Sequence, residues 1–417
     1  GGALIMPSTL SILTNVFRDP KERGRAIAIW AGCSGLAVAI GPVLGGLLLN
    51  HFSWGSVFWV NLPIGAAALV AGYFFVPESK DPAGPRLDPL GALLSIIGLG
   101  SLLFGIIEGP TEGWSSTIVM GAFIIGVLGM VAFISWELHT EHPMLDMSFF
   151  SNARFTAANV AITLTFFAMF GSMFLMTQYW QFVHDYTPLQ AGVRLVPYAF
   201  TMMIFAPMSA RFVEKLGTKI VVAGGLGIIS LSFLMLASID RDSSYLVVIL
   251  MMCVMAAGMG LVMAPATESV MGSLPREKAG VGSAVNDTTR QMGGALGVAV
   301  IGTMVASAYS SQIGKLASKF GLSGSELASA RGSLGDAMAL VGKPTSSVNG
   351  NIEFLNAAKD SFVHGLSQGL IVGAVIVAIA AFVAYRFLPA VAQDDQVRRS
   401  DADSIVEIVD PVPVAGS

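Results

Sequence analysis

The chain is built from apolar runs that are each about as long as a membrane span. A helix needs about 20 mostly apolar residues to cross the hydrocarbon core of a bilayer, since each residue adds 1.5 Å. Eleven such runs occur, and the first is short at its beginning. They cover residues 1–16, 25–49, 54–76, 89–107, 117–137, 155–180, 190–210, 220–239, 245–267, 284–309 and 361–388. Because helices satisfy their own backbone groups in lipid, these runs predict an all-α polytopic transmembrane helix bundle.

Composition excludes several classes of protein. Only 12% of the residues are charged, against about 25% in a soluble domain, and 54% are hydrophobic. The net charge of -4 argues against a nucleic-acid partner. Cys33 and Cys253 both lie in apolar runs, so no disulfide framework is expected. The five histidines show no metal-ligand spacing, and the absence of a phosphate-binding glycine loop argues against an ATP-driven pump.

The connectors between runs carry their positive charge on one side. If the connector after the first run is cytoplasmic, the short connectors on that side hold twelve basic residues and those on the other side hold one, Arg241. The twelve are Arg18, Lys21, Arg23, Arg25, Lys80, Arg86, Arg154, Arg211, Lys215, Lys219, Arg276 and Lys278. The positive-inside rule then places connector 310–360, expected to be loop with short amphipathic helices, outside. It places a disordered tail, 389–417, in the cytoplasm.

The second run contains the motif GPVLGG at residues 41–46. Proline removes a backbone hydrogen bond, and glycines let neighbouring backbones approach closely. The motif predicts a bent, closely packed helix beside a pathway, with Gly41, Pro42, Gly45 and Gly46 as a functional site. We therefore expect Gly45→Leu to insert bulk into a helix contact and abolish activity. Ordinary glycine-mediated packing is the alternative interpretation.

Few charged residues fall inside the runs, and they are candidates for function. A charged group costs about 2.5–3.5 kcal/mol at the bilayer centre, so such groups usually face a cavity and pair. Asp287 and Arg290 are three residues apart and share one helical face. We predict that Asp287 carries a proton with Arg290 as its partner, and that Glu268 is a second candidate. Alternatively, Asp287 only favours the positive end of its helix.

The end of the sixth run combines aromatic and amide side chains. These are Gln178, Tyr179, Trp180 and Gln181. Aromatic faces with polar amides suit a pocket for flat lipophilic cations, although an interfacial aromatic belt has the same composition. Arg194, one turn inside the next run, would attract an anionic substrate group, pair with Asp185, or extend to the membrane surface.

A weak internal repeat suggests two related halves. Pro7, Thr9 and Ser11 match Pro265, Thr267 and Ser269 at a shift of 258. A charged connector and a glycine-rich run follow in both places. Parallel repeats of this kind occur in several transporter folds.

Four stretches resemble the major facilitator superfamily, in particular its fourteen-helix drug:proton antiporters of EmrB/QacA type. They are GGALIMPSTLSIL, AIGPVLGG, SWGSVFWVNLPIG and REKAGVGSAVNDTTRQMGGALGVAVIGT. The resemblance identifies GPVLGG with the family's antiporter motif, although Ala37 stands where a glycine is usual and Gly55 where a basic residue is common. It also implies that the first run is the family's fourth helix, so that the first three helices are missing from this chain.

The resemblance implies a division of the chain and a function. Residues 1–76 would be the remainder of an N-terminal bundle, 77–153 two inserted helices with their connectors, and 154–388 a C-terminal six-helix bundle. The function implied is proton-coupled export of small amphipathic or cationic compounds across the plasma membrane by alternating access, without a cofactor. A metabolite or siderophore exporter and a non-transporting membrane sensor or scaffold are the alternatives. An enzyme is not expected, since no nucleophile–base or metal constellation occurs.

Overall fold

A computed structural model describes residues 2–17, 19–75, 88–141, 143–275, 278–341 and 351–388, and the regular structure within these ranges is helical. Its α-helices are α1 (Gly2–Val16), α2 (Pro20–His51), α3 (Ser56–Trp59), α4 (Asn61–Phe75), α5 (Pro89–Glu112), α6 (Thr117–His139), α7 (Ala153–Gln178), α8 (Pro188–Arg194), α9 (Val196–Leu216), α10 (Thr218–Leu236), α11 (Tyr245–Met271), α12 (Ala279–Phe320), α13 (Gly324–Gly332), α14 (Leu334–Val341) and α15 (Asn351–Phe387). A 3-10 helix, Met147–Ser151, precedes α7, and a π-helix, Tyr179–Val183, continues it.

Across the described ranges, ten helical segments are long and apolar enough to cross a membrane. The remaining predicted run, 1–16, corresponds to α1, which has 15 residues and is too short by itself to cross a membrane. Each predicted run lies largely on helix, so the prediction of an all-α multi-pass membrane protein is confirmed.

The predicted boundaries of connector 310–360 are wrong at both ends. Helix α12 continues to Phe320 and ends where Gly321 adopts φ +67°, a left-handed conformation that glycine reaches without strain. Helix α15 already begins at Asn351. The expected short helices are present as α13 and α14. Hydropathy missed these extensions because both helices continue through polar sequence.

Capping residues begin several helices where the chain turns. Asp19 accepts hydrogen bonds from the backbone N–H groups of Lys21 and Glu22, and Pro20 follows it in the first turn of α2. Thr187 and Gln190 form a capping box at α8. Gly217, at φ +83°, separates α9 from α10.

Helices α7, α9, α10, α11, α12 and α15 form one continuous packed assembly. Helix α7 packs on α11, α12 and α15, while α9 packs on α11, and α10 on α11 and α15. Helix α1 lies against α12, and α2 lies against α8, α9 and α11. Helices α5 and α6 form an antiparallel pair that contacts the assembly through α5 and α12. The arrangement surrounds α12 with α1, α5, α7 and α15.

The outward faces of the helices are apolar. Leu69, Tyr73 and Phe75 on α4 are all more than three quarters exposed. Exposed apolar surface on this scale is what a bilayer covers in a multi-pass protein.

The structure describes only part of the predicted charge asymmetry. Arg23 and Arg154 meet at the same end of the assembly, in agreement with the connector pattern. Arg18, Lys80, Arg86, Arg276 and the predicted tail 389–417 lie outside the described residues.

Candidate functional site

Glycines on α12 fix how this helix sits against α7. A Cβ at Gly293 would collide with the carbonyl group of Thr163, and one at Gly297 with the carbonyl group of Phe167. Both pairs are 130 residues apart, so the two helices run parallel in a single register. The same offset joins Thr289 to Asn159, one turn earlier. Close backbone packing at the glycines therefore sets the position of the polar residues that precede them.

These polar residues form a buried cluster at the junction of α7, α11 and α12. We call it the polar cluster, and its members are Asn159, Thr267, Asn286, Asp287, Thr289 and Arg290. The guanidinium of Arg290 donates to the Thr267 hydroxyl at 3.0 Å. Its nearest approach to the Asp287 carboxylate is 4.0 Å. The structure thus brings Asp287 and Arg290 together, as a loosely formed ion pair.

The polar cluster has unused hydrogen-bonding capacity. Both amide atoms of Asn286, one carboxylate oxygen of Asp287 and the Nε of Arg290 are buried and make no hydrogen bond within the described part of the chain. A buried polar group without a partner costs about 1–3 kcal/mol, so native proteins rarely leave several together without a reason. The arrangement is chemically able to accept a proton, a water molecule or a polar ligand.

Arg290 also contacts two aromatic rings. Its guanidinium carbon lies 4.7 Å from the ring centroid of Trp30 on α2 and 5.1 Å from that of Phe166 on α7. Both distances are within the range of cation–π attraction. Sequence reasoning missed Trp30, because nothing in its local sequence connects it with a residue 260 positions away.

Glu268, the second predicted candidate for proton coupling, does not join the polar cluster. Its carboxylate instead accepts hydrogen bonds from Arg23 at 3.1 Å and from Arg154 at 3.3 Å. We call these three residues the arginine–glutamate triad. Both arginines are more than nine-tenths buried. The sequence had predicted them in the connectors, because each lies near the beginning of a helix. The triad joins α2, α7 and α11.

The glycine motif of α2 packs tightly against α8, but only Pro42 and Gly46 of its four predicted residues make this contact. A Cβ at Gly46 would lie 2.6 Å from the Cα of Leu189 on α8. The carbonyl of Pro42 lies against Gly192, where an added Cβ would be 2.5 Å from its oxygen. Gly41 and Gly45 face open space among the described residues. Among the described residues, a Cβ at Gly45 would meet no neighbouring atom, so the contact predicted for Gly45→Leu is not among those that the structure describes.

The predicted aromatic pocket is filled by the protein itself. Tyr179 and Trp180 are both 0% exposed, and the Tyr179 hydroxyl donates to the Asp240 carbonyl at 2.8 Å. The Trp180 ring stacks on Tyr186 with 5.7 Å between centroids. Gln178 and Gln181 are half-buried beside them. The Tyr179 and Trp180 rings pack on each other and Trp180 packs on Tyr186, so neither ring is exposed at the surface of the described structure.

Arg194 does not pair with Asp185 either. Its guanidinium lies 4.0 Å above the Tyr186 ring and donates to the Gln190 carbonyl at 3.2 Å. Asp185 accepts a hydrogen bond from Lys359 on α15 at 2.7 Å. Arg194 therefore packs on the Tyr186 ring, and Asp185 connects its loop to α15 through Lys359.

Within the ranges that the structure describes, no group of three or more His, Cys, Asp or Glu residues is arranged to hold a metal ion.

Comparison with known proteins places these features in a family. Residues 1–298 match the family described as Major Facilitator Superfamily. The chain is 33% identical to the multidrug resistance protein Stp of Mycobacterium tuberculosis over 73% of this chain and 57% of Stp. It is 31% identical to the multidrug efflux pump LfrA of Mycolicibacterium smegmatis over 92% of this chain and 75% of LfrA. It is 30% identical to the methyl viologen resistance protein SmvA of Salmonella typhimurium over 89% of this chain and 74% of SmvA. The chain thus spans a little over half the length of Stp.

Proposed function

Because the chain belongs to the Major Facilitator Superfamily, we propose that it exports small amphipathic cations in exchange for protons by alternating access. The names of three relatives support the substrate class, since two concern multidrug resistance or efflux and one concerns methyl viologen, a flat organic dication. Export of a metabolite or siderophore by the same cycle is the alternative that substrate profiling would reveal.

The observation that carries the proton coupling is the loose pairing of Asp287 with Arg290. The two side chains are only 15% and 10% exposed and are separated by 4.0 Å. Asp287 therefore sits in an interior where its neutral form is tolerated, beside a cation that favours its charged form. Small movements of Arg290 would change which form is stable, and a proton carrier needs that property.

The proposed cycle assigns the parts of the chain as follows. Residues 1–76 belong to one moving unit and 154–388 to the other, with α5 and α6, within 77–153, inserted between them as in the fourteen-helix EmrB/QacA type. In that arrangement α1 corresponds to the fourth helix of the family. The arginine–glutamate triad joins α2 to α7 and α11, and the contact of Arg290 with Trp30 joins α12 to α2. Both would break and re-form as access alternates.

Two measurements on membrane vesicles test the proposal. Inside-out vesicles containing the chain are energised to an acidic interior, and ethidium uptake and proton leakage are followed by fluorescence. We expect proton-driven ethidium uptake and a proton flux on adding ethidium. Asp287→Asn should abolish both, while Asp242→Asn, at an acid that is 83% exposed, should abolish neither.

A sensor or scaffold would give no ethidium-dependent proton flux at any expression level. Undiminished antiport by Asp287→Asn would refute the assigned role of this carboxylate while leaving export itself intact.

A further inference from the structure

The guanidinium of Arg290 occupies a site that suits a planar aromatic cation. Its central carbon lies over the ring of Trp30 at 4.7 Å from the centroid and over the ring of Phe166 at 5.1 Å. Both rings present π-faces to a flat, delocalised positive charge, and such faces attract organic cations by the same physics. Phe166 is buried and stacks on Phe170 at 6.1 Å, whereas Trp30 is half-buried.

Arg290 is held in this site by few directional contacts. Among the residues that the structure describes, it donates one hydrogen bond, to Thr267, and its Nε makes none. Asp287, its nearest acid, keeps one buried carboxylate oxygen without a partner. A closer, two-point pair between these side chains would satisfy both unused atoms. The side chain therefore has a second favourable position close by, on Asp287 instead of on the rings.

We propose that a planar aromatic cation binds against Trp30 and Phe166 in place of the Arg290 guanidinium. The displaced Arg290 then pairs closely with Asp287 and stabilises its carboxylate form, so that the Asp287 carboxyl group loses its proton to water. This inference rests on the proposed export function and gives it a coupling step. Rebinding of a proton to Asp287 releases Arg290, which returns to the rings and expels the cation.

The charges around the polar cluster are consistent with movement of Arg290 between the two aromatic rings and Asp287. Asp287 and Arg290 are its charged members. Glu268, the next residue after Thr267 on α11, is already paired with Arg23 and Arg154. No step of the exchange requires the triad to release its charge.

Ethidium binding to the purified chain tests the exchange site. The chain is placed in nanodiscs of phosphatidylcholine, a lipid without net charge, and ethidium polarisation is titrated. We expect Trp30→Leu and Phe166→Leu each to weaken binding about tenfold, and Trp30→Phe to recover part of the loss. Phe174→Leu, on the same helix as Phe166 but half-exposed, is the matched control and should bind as the parent does.

The decisive variant removes the competing cation. Arg290→Gln should bind ethidium about tenfold more tightly than the parent, and this gain should disappear in the Trp30→Leu background. If Arg290 only repels ethidium at a distance, the gain will be the same with and without Trp30, and the exchange is overturned. Equal binding by Trp30→Leu, Phe166→Leu and the control also overturns it.

Proton release gives a second readout. In weakly buffered solution, ethidium binding to the parent should release about one proton per chain, whereas Arg290→Gln and Asp287→Asn should release none. If the parent shows ring-dependent binding and proton release but its vesicles transport no ethidium, the proposed export function fails and the exchange site stands. If ethidium transport is normal but Trp30→Leu and Phe166→Leu bind ethidium as the parent does, the exchange site is refuted and the proposed export function is supported.

Discussion

The Glu268 carboxylate on α11 lies 3.1 Å from the guanidinium of Arg23 on α2. A second arginine, Arg154 at the beginning of α7, approaches the other carboxylate oxygen at 3.3 Å. All three side chains are less than one fifth exposed. Three helices from distant parts of the sequence are thus joined by one acid that pairs with two buried cations.

Loss of this acid should destabilise the chain strongly. Glu268→Gln leaves two buried guanidinium groups without a counter-charge, and removal of one member of a buried ion pair typically costs about 3–5 kcal/mol. We expect a clear fall in the unfolding temperature of the chain in nanodiscs. Glu214→Gln is the control, because the pair of Glu214 with Arg25 is exposed and 3.5 Å long, and exposed pairs contribute about 0–1 kcal/mol. Equal shifts for the two variants would contradict the structural role of the triad.

The two adjacent glycines of the α2 motif should respond differently to bulk. Gly46→Leu places a side chain against the backbone of Leu189, which can yield only if α8 moves. Gly45→Leu enters open space among the described residues. We expect Gly46→Leu to lower both the amount of folded protein in the membrane and ethidium export at matched expression, and Gly45→Leu to do neither. Loss of export with Gly45→Leu alone would reinstate the expectation from sequence.

The register of α12 against α7 predicts that two glycine-to-alanine substitutions on α12 have opposite effects on stability. Gly297→Ala forces a Cβ against the Phe167 carbonyl, so the helices must separate and the chain should unfold at a lower temperature. Gly302→Ala meets no neighbouring atom and should be neutral or stabilising by up to about 1 kcal/mol, since alanine favours helix over glycine. Thermal unfolding of both variants in nanodiscs checks this, and destabilisation by Gly302→Ala of similar size would show that the steric account is wrong.

The turn after the π-helix should tolerate residues according to their backbone preference. Asp185 has φ +55°, and its carboxylate binds Lys359 at 2.7 Å. Because the Asp185 side chain is 63% exposed, the ion pair contributes little and the backbone conformation dominates. Asp185→Gly should match the parent in stability or exceed it, whereas Asp185→Val should destabilise by about 1–2 kcal/mol. Unfolding midpoints of the two variants test this ranking. If the charge of Asp185 mattered most, both variants would lose the same stability.

Local sequence predicted the helices well because hydropathy and run length are properties of single segments. Each apolar run lies largely on helix, and the spacing of Asp287 and Arg290 correctly placed both on one face of α12. The motif GPVLGG was also correctly recognised as a site of close packing. Local sequence could not distinguish Gly41 and Gly45 from Gly46, since the rotation of α2 about its axis is set by α8, a helix about 140 residues further along the chain.

Burial in lipid restricts both composition and backbone, so hydropathy and charge alone indicated an all-α, multi-pass membrane protein with a charged pair inside the tenth apolar run. Tertiary structure alone decided which distant groups meet: Glu268 with Arg23 and Arg154, Arg290 with Trp30, and Asp185 with Lys359. Those contacts depend on the rotation and register of helices that pack across hundreds of residues. On α12 that register is fixed where Gly293 and Gly297 let its backbone touch α7.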